Sequence, residues 1–167
     1  TAMEYIVRIN NLTAKHKINK VEKVVTGGKY RQDSVYNALI NIPAKNGDRI
    51  IVHDAVRPYV TLKLLKALLK ESVYYDCVIP AVKLNDTVKM TNSKGIVVST
   101  VPRDNLWSVQ TPQIFEYGKL IKAFAIANQK KYIGTDEASL MEHAGFKVKI
   151  IEGDASNIKI TTRKDIK

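Results

Sequence analysis

Short apolar runs alternate with stretches of helical spacing, and this alternation constrains the chain most. Thr1–Asn19 has helical spacing in Tyr5, Ile6, Ile9 and Leu12, with no capping residue to start it. A β-branched run at Val21–Thr26 ends at Gly27-Gly28, and a helix opening at Gln32 or Asp33 carries Val35, Leu39 and Ile40. Arg49–His53 has the composition of a buried strand and stops in the polar cluster Asp54–Pro58. Thr61 is placed to cap a helix whose Leu62, Leu65, Leu68 and Leu69 form one stripe, and Asp76–Val82 reads as the next strand. Tyr117–Gln129 and Thr135–Ala144 are helical, the second ended by Gly145, and Lys147–Ile151 and Asn157–Ile160 are short closing strands. Strands alternating with helices predict an α/β fold with a mostly parallel sheet.

One stretch breaks the alternation. Thr87–Met90 and Ile96–Val101 are β-like and joined by Asn92-Ser93-Lys94-Gly95, a hairpin signal. Their thin hydrophobic content suits a projecting arm. With 167 residues, no internal repeat and no linker, the chain is expected to be a single domain, 1–167. Its one cysteine, Cys77, excludes an internal disulfide framework and a multi-cysteine zinc site; its apolar surroundings mark it as a buried structural thiol.

The formal charge is +11, which admits nucleic acid, an anionic membrane or small phosphorylated ligands as partners. The basic residues are spread along the chain without a block of three, and aromatic residues do not interleave with a basic strip. Neither a nucleic-acid tail nor a single-strand binding surface looks like this. No apolar run approaches the ~18 residues of a membrane span. Small anions remain the natural partners of the few cations in site-like positions, and the other lysines read as a solvated surface.

In a parallel α/β sheet, ligands bind beyond the carboxyl ends of the strands. Three polar clusters fall there. In Gly27–Ser34, paired glycines let backbone amides approach a ligand, and the next helix offers its N-terminus; an ordinary turn would look the same. In His53–Pro58, Asp54 could hold magnesium and Arg57 a phosphate, or the two could form a structural ion pair, with His53 a satisfied core histidine. In Asn157–Thr162, Lys159 between Ile158 and Ile160 needs a partner, a ligand or a solvent-facing edge. Arg103 and Thr135-Asp136-Glu137 carry less weight; Thr135 could be a simple N-cap. There is no Ser–His–Asp logic and no metal-ligand histidine spacing, which leaves phosphate chemistry with magnesium.

These clusters occur as V-T-G-G-x-x-R-Q-D-S-V (25–35), V-H-D-A-V-R-P (52–58), N-D-T-V-K (85–89), V-P-R-D-N-L-W-S-V-Q-T-P-Q-I-F (101–115), T-D-E-A-S-L-M-E (135–142) and N-I-K-I-T (157–161). In this order they resemble the 2-C-methyl-D-erythritol 4-phosphate cytidylyltransferases of the non-mevalonate isoprenoid pathway. The resemblance implies a Rossmann-like, three-layer, mostly parallel sheet with a β-hairpin arm over 83–103. It implies cytidylyl transfer from CTP to methylerythritol phosphate, with Mg2+ and release of pyrophosphate. Carried over by position, Lys159, Arg103 and Asp54 would be catalytic. Gly28, Ser34, Asp54, Ala55, Thr111 and Lys159 would bind CTP. Arg57, Thr87, Arg103, Thr135 and Lys159 would bind the polyol phosphate, and Asp54 the metal. The arm would reach into a neighbouring subunit, making a homodimer with shared sites.

Two departures qualify the expectation. The family begins with a glycine-rich loop, L-x-A-A-G-x-G-x-R followed by lysine, which cradles the triphosphate; here the first glycine is Gly27. The family also continues into a final helix past the position of Lys167. The sequence is therefore expected to be incomplete at both ends and inactive alone. A bacterial cytoplasm is the default location, with a plastid-type organelle as the alternative. Two other functions stay in view: a ribitol-phosphate or other polyol-phosphate cytidylyltransferase, and a non-catalytic nucleotide-binding module.

Overall fold

The computed structural model describes residues 1–166. In chain order the elements are α1 (Ile6–Lys15), α2 (Arg31–Leu39), β1 (Arg49–Val52), α3 (Leu62–Glu71), β2 (Cys77–Lys83), β3 (Val88–Thr91), β4 (Val97–Val101), β5 (Trp107–Val109), β6 (Gln113–Glu116), α4 (Tyr117–Gln129), α5 (Glu137–His143) and β7 (Val148–Glu152). The larger sheet has the strand order β1-β6-β2-β5, with β7 paired to β2. The class is α/β. Among the ladders with described register, β2–β7 is parallel over Cys77–Ala81, and β2–β5 is antiparallel over Ala81–Lys83. The chain divides into two compact units: Thr1–Ile50 with Phe115–Lys147, and Ile51–Ile114 with the chain from Val148 onward.

In the first unit, α4 turns Leu120, Ala123, Phe124 and Ala127 inward at helical spacing, and α5 buries Glu137, Ala138, Leu140 and Met141. Tyr36 of α2 meets Phe124 with ring centroids 5.4 Å apart. α5 stops where Gly145 takes φ +83°, a left-handed conformation that glycine adopts without cost. Glu116 caps α4, accepting from the amides of Gly118 (3.0 Å) and Lys119 (2.7 Å) and from Gly47. Burial raises its pKa, but these three donors together hold it below the ordinary carboxylate range. Because the folded pKa lies below the unfolded one, Glu116 stabilises the fold above the ordinary carboxylate range and loses that contribution as pH falls through its folded value. Glu116→Gln is expected to cost about 1 kcal/mol at pH 7, with the difference from wild type shrinking in acid. Urea unfolding across pH checks this.

In the second unit, Leu64 and Leu68 of α3, Val78 of β2 and Ile114 of β6 form a buried cluster, with Ile151 of β7 packed against it. Thr61 caps α3 by accepting from the Leu64 amide at 3.2 Å. The inward stripe differs from the expected one: Leu62 is 74% exposed and Leu69 45%, because the buried face is the i, i+4 pair Leu64 and Leu68. Cys77 is fully buried. β3 and β4 form their own antiparallel two-stranded sheet, as read from sequence, with Gly95 at φ +77° and the Asn92 carboxamide accepting from Lys94 and Ile96.

Two expected strands are absent. Val21–Thr26 is irregular: Glu22 and Lys23 are exposed, and the Thr1 amino group donates to Val25 O at 3.0 Å. Asn157–Ile160 is also irregular, because side chains rather than a ladder take the Asn157 carbonyl. β5 and β6 went unread in sequence: three or four residues with polar Ser108 and Gln113 give little period-2 signal.

Candidate functional site

The candidate residues gather in two sets, one in each unit. The first is built around the entrance to α2. The Gly28 amide donates to Ser34 Oγ at 3.0 Å, and Ser34 Oγ donates in turn to the Tyr30 carbonyl at 3.2 Å. A Cβ on Gly28 would fall 2.2 Å from Asp33 Cβ, so this turn closes only on glycine. Asp33 fixes the helix start by accepting from the Tyr30 amide at 3.0 Å. Gly28 and Ser34 are thus held together.

Arg31 and Gln32 then reach across to the loop before α5. Arg31 Nη1 lies 2.7 and 2.6 Å from the two carboxylate oxygens of Glu137, which is 1% exposed. Gln32 donates to the Tyr132 carbonyl at 3.3 Å and accepts from the Gly134 amide at 3.0 Å. Thr135 stands exposed on that loop. It is not the N-cap: Asp136 takes that place, accepting from the Ser139 amide at 2.9 Å. The Arg31 guanidinium is engaged with Glu137.

The second set hangs from the end of β1. Thr111 Oγ1 lies 3.0 Å from the Asp54 amide and 3.0 Å from His53 Nδ1, while His53 Nε2 lies 3.0 Å from the Arg57 carbonyl. A carbonyl only accepts, so Nε2 donates to it, while the Thr111 hydroxyl accepts from the Asp54 amide and bonds Nδ1. Arg57 donates from Nη1 to the Asn157 carbonyl at 2.7 Å, and Asn157 Nδ2 donates to the Thr111 carbonyl at 2.8 Å. Gln110 adds bonds to the carbonyls of Asp154 (2.8 Å) and Asn157 (3.3 Å). Burial presses the Arg57 pKa down and the charge of Asp54 pulls it back.

At the edge of this network the Asp54 carboxylate meets Lys159 Nζ at 3.1 Å, with Lys159 about half exposed. Lys159 is therefore not inside an apolar strand; its partner is Asp54. With the lysine side half exposed, the pair contributes little to stability, about 1 kcal/mol. Asp54, Arg57, Thr111 and Lys159 come together at the end of β1, and Ala55 follows Asp54 in the chain. Gln110 and Asn157, both buried, were missed as the members that bind the network, although both lie within motifs quoted from the sequence.

The arm carries the third group. Thr87 and Arg103 flank the first ladder pair, Val88 opposite Val101, and the Arg103 guanidinium donates to the Asn85 carbonyl. Both are exposed. Among the described residues no three His, Cys, Asp or Glu side chains gather to hold a metal. A single carboxylate such as Asp54 still fits Mg2+, which keeps waters and takes one or two carboxylates plus substrate phosphates. Among the described residues no helix is long and apolar enough to cross a membrane.

Comparison with known proteins gives a consistent result. The family described as 2-C-methyl-D-erythritol 4-phosphate cytidylyltransferase matches residues 4–167. The chain is 44% identical over 160 residues to the enzyme of that name from Geobacillus kaustophilus, covering 95% of this chain and 68% of that protein. It is 44% identical to one from Pelotomaculum thermopropionicum, covering 89% of this chain but 62% of that protein, so it spans roughly two thirds of these relatives. The crystal structure of the Francisella tularensis 2-C-methyl-D-erythritol 4-phosphate cytidylyltransferase superposes with a TM-score of 0.81 at 40% identity, over 87% of this chain and 70% of that one. A 4-diphosphocytidyl-2C-methyl-D-erythritol synthase from Anaerococcus prevotii gives 0.83 at 28% identity, over 99% and 75%. With the sequence motifs, the two residue sets and these matches in agreement, the chain belongs to the 2-C-methyl-D-erythritol 4-phosphate cytidylyltransferase family.

Proposed function

We infer that this protein transfers a cytidylyl group from CTP to 2-C-methyl-D-erythritol 4-phosphate, as a single nucleotidyltransferase domain. A phosphate oxygen of the acceptor attacks the α-phosphorus of CTP. A new P–O bond forms, the bond from the α-phosphorus to the bridging oxygen breaks, and pyrophosphate leaves with the electron pair. The observation that carries this reading is the preassembled Asp54–Lys159 pair on the His53–Thr111–Asn157 network, within matching family motifs. Lys159 is free to turn from Asp54 to the phosphates, where its charge stabilises the negative charge that develops in the transition state. Asp54 would hold Mg2+ and lie by the ribose, with the Ala55 backbone and Thr111 beside the nucleotide. Mg2+, when bound, would neutralise phosphate charge. Gly28 and Ser34 would read the cytosine edge by exchanging their mutual bond for bonds to the base. Arg57, Thr87, Arg103 and Thr135 would bind the polyol phosphate, with Lys159 near its attacking phosphate.

The rival acceptor is ribitol phosphate. Measuring kcat/KM of the full-length protein with both acceptors separates them: a clear preference for methylerythritol phosphate supports this reading, and turnover of ribitol phosphate alone overturns it. We place the protein in the cytoplasm and read it as a homodimer whose arm reaches the partner's site, since the arm is exposed and built apart from the main sheet. Arg103→Ala subunits mixed with Lys159→Ala subunits should then recover activity in heterodimers, up to about a quarter of wild type for random pairing. Recovery of none in a verified heterodimer would argue against shared sites.

A further inference from the structure

We propose that Glu137 is a positioning residue that makes the entrance to α2 and the loop before α5 one rigid piece, so that base recognition and acceptor recognition are set together. This rests on the function inferred above. Its carboxylate is almost fully buried, and both its oxygens are taken by Arg31 Nη1 at 2.7 and 2.6 Å. Arg31 opens the helix that carries Ser34, and Glu137 opens the helix two residues after Thr135. The pair therefore fastens the two helix starts to each other. Gln32 closes a second latch beside it, through Tyr132 and Gly134.

Glu137 is not placed to touch substrate. Burial pushes its pKa up while the Arg31 hydrogen bond pulls it down, so the carboxylate depends on Arg31 to stay charged. Glu137 is 1% exposed and Arg31 36%, so desolvation falls mainly on the carboxylate, and such a pair often adds little net stability. Here it joins two loops, each carrying a residue that the family resemblance assigns to a different substrate.

The test is Glu137→Gln, which keeps the shape and one acceptor, and Arg31→Lys as a second variant should the first fold poorly. Hydrogen exchange is followed at the amides of Gly28 and Gly134. Both should exchange about tenfold faster in the variant, while the β2 amides, in the other unit, stay protected. In the full-length protein the KM values for CTP and acceptor should rise together by about tenfold with kcat changed less than threefold, and Glu137→Asp should recover part of the loss. Faster exchange in one loop only, or in neither, overturns the proposal; so does a loss of stability with both KM values unchanged. The exchange result stands whether or not the protein turns over CTP, so failure of the inferred reaction would be seen separately as an inactive wild type.

Discussion

Lys159→Ala in the full-length protein is expected to lower kcat by roughly 10²–10³-fold, the scale seen when one preorganised charge partner of a transition state is removed. Stability should change by only about 1 kcal/mol, because the Lys159 side chain is half exposed and its removal lets water reach Asp54. The split separates a catalytic lysine from a structural one: a structural lysine would show the reverse. Lys159→Arg keeps the charge but not the compact ammonium, so it should recover only part of the rate. Stopped-flow or steady-state release of pyrophosphate, alongside urea unfolding of the same variants, gives both numbers.

Asp54→Asn should cost on the order of a hundredfold in kcat/KM, since a metal's charge stabilisation at a phosphoryl centre is several kcal/mol. Its signature is a higher Mg2+ concentration needed for half-maximal rate, which Lys159→Ala should not share. The amide at position 54 should keep its backbone bond to Thr111, so the His53–Thr111 network survives and the fold with it. Because Asp54 and Lys159 face the same phosphates and each other, their effects should not add. The double variant is expected to be little worse than Lys159→Ala alone. Full additivity would mean that the 3.1 Å contact is incidental.

The α/β class and the helices were legible because their signals are local. Tyr117–Gln129 has the apolar spacing of a helix and forms α4 over those residues, and Thr61 caps α3 as its type suggests. The hairpin was legible from Asn92 and Gly95, whose chemistry sets the turn. What failed depended on neighbours. Asn157–Ile160 has strand composition, but its carbonyl at 157 is claimed by Arg57 and Gln110, which lie more than forty residues away in sequence. The stripe on α3 was displaced because several leucines compete and only packing selects Leu64 and Leu68.

The site shows the same division. Asp54, Arg57 and Lys159 could be singled out, since charges at strand ends and beside apolar residues ask for partners. Which partner each takes was not readable: Lys159 goes to Asp54, and Arg57 donates to the carbonyl of Asn157. Gln110 and Asn157 were visible only as parts of motifs and Glu137 only as an acidic residue at a helix start, because a polar side chain announces neither its burial nor the segment it binds.

The most direct measurement is a phosphorus NMR spectrum of the full-length protein with CTP, 2-C-methyl-D-erythritol 4-phosphate and Mg2+. The expected result is loss of the CTP signals with equal growth of pyrophosphate and of a diphosphate diester, slowed by roughly 10²–10³-fold in Lys159→Ala. Unchanged CTP with a correctly folded protein, or a diester formed only when ribitol phosphate replaces the acceptor, would contradict the account.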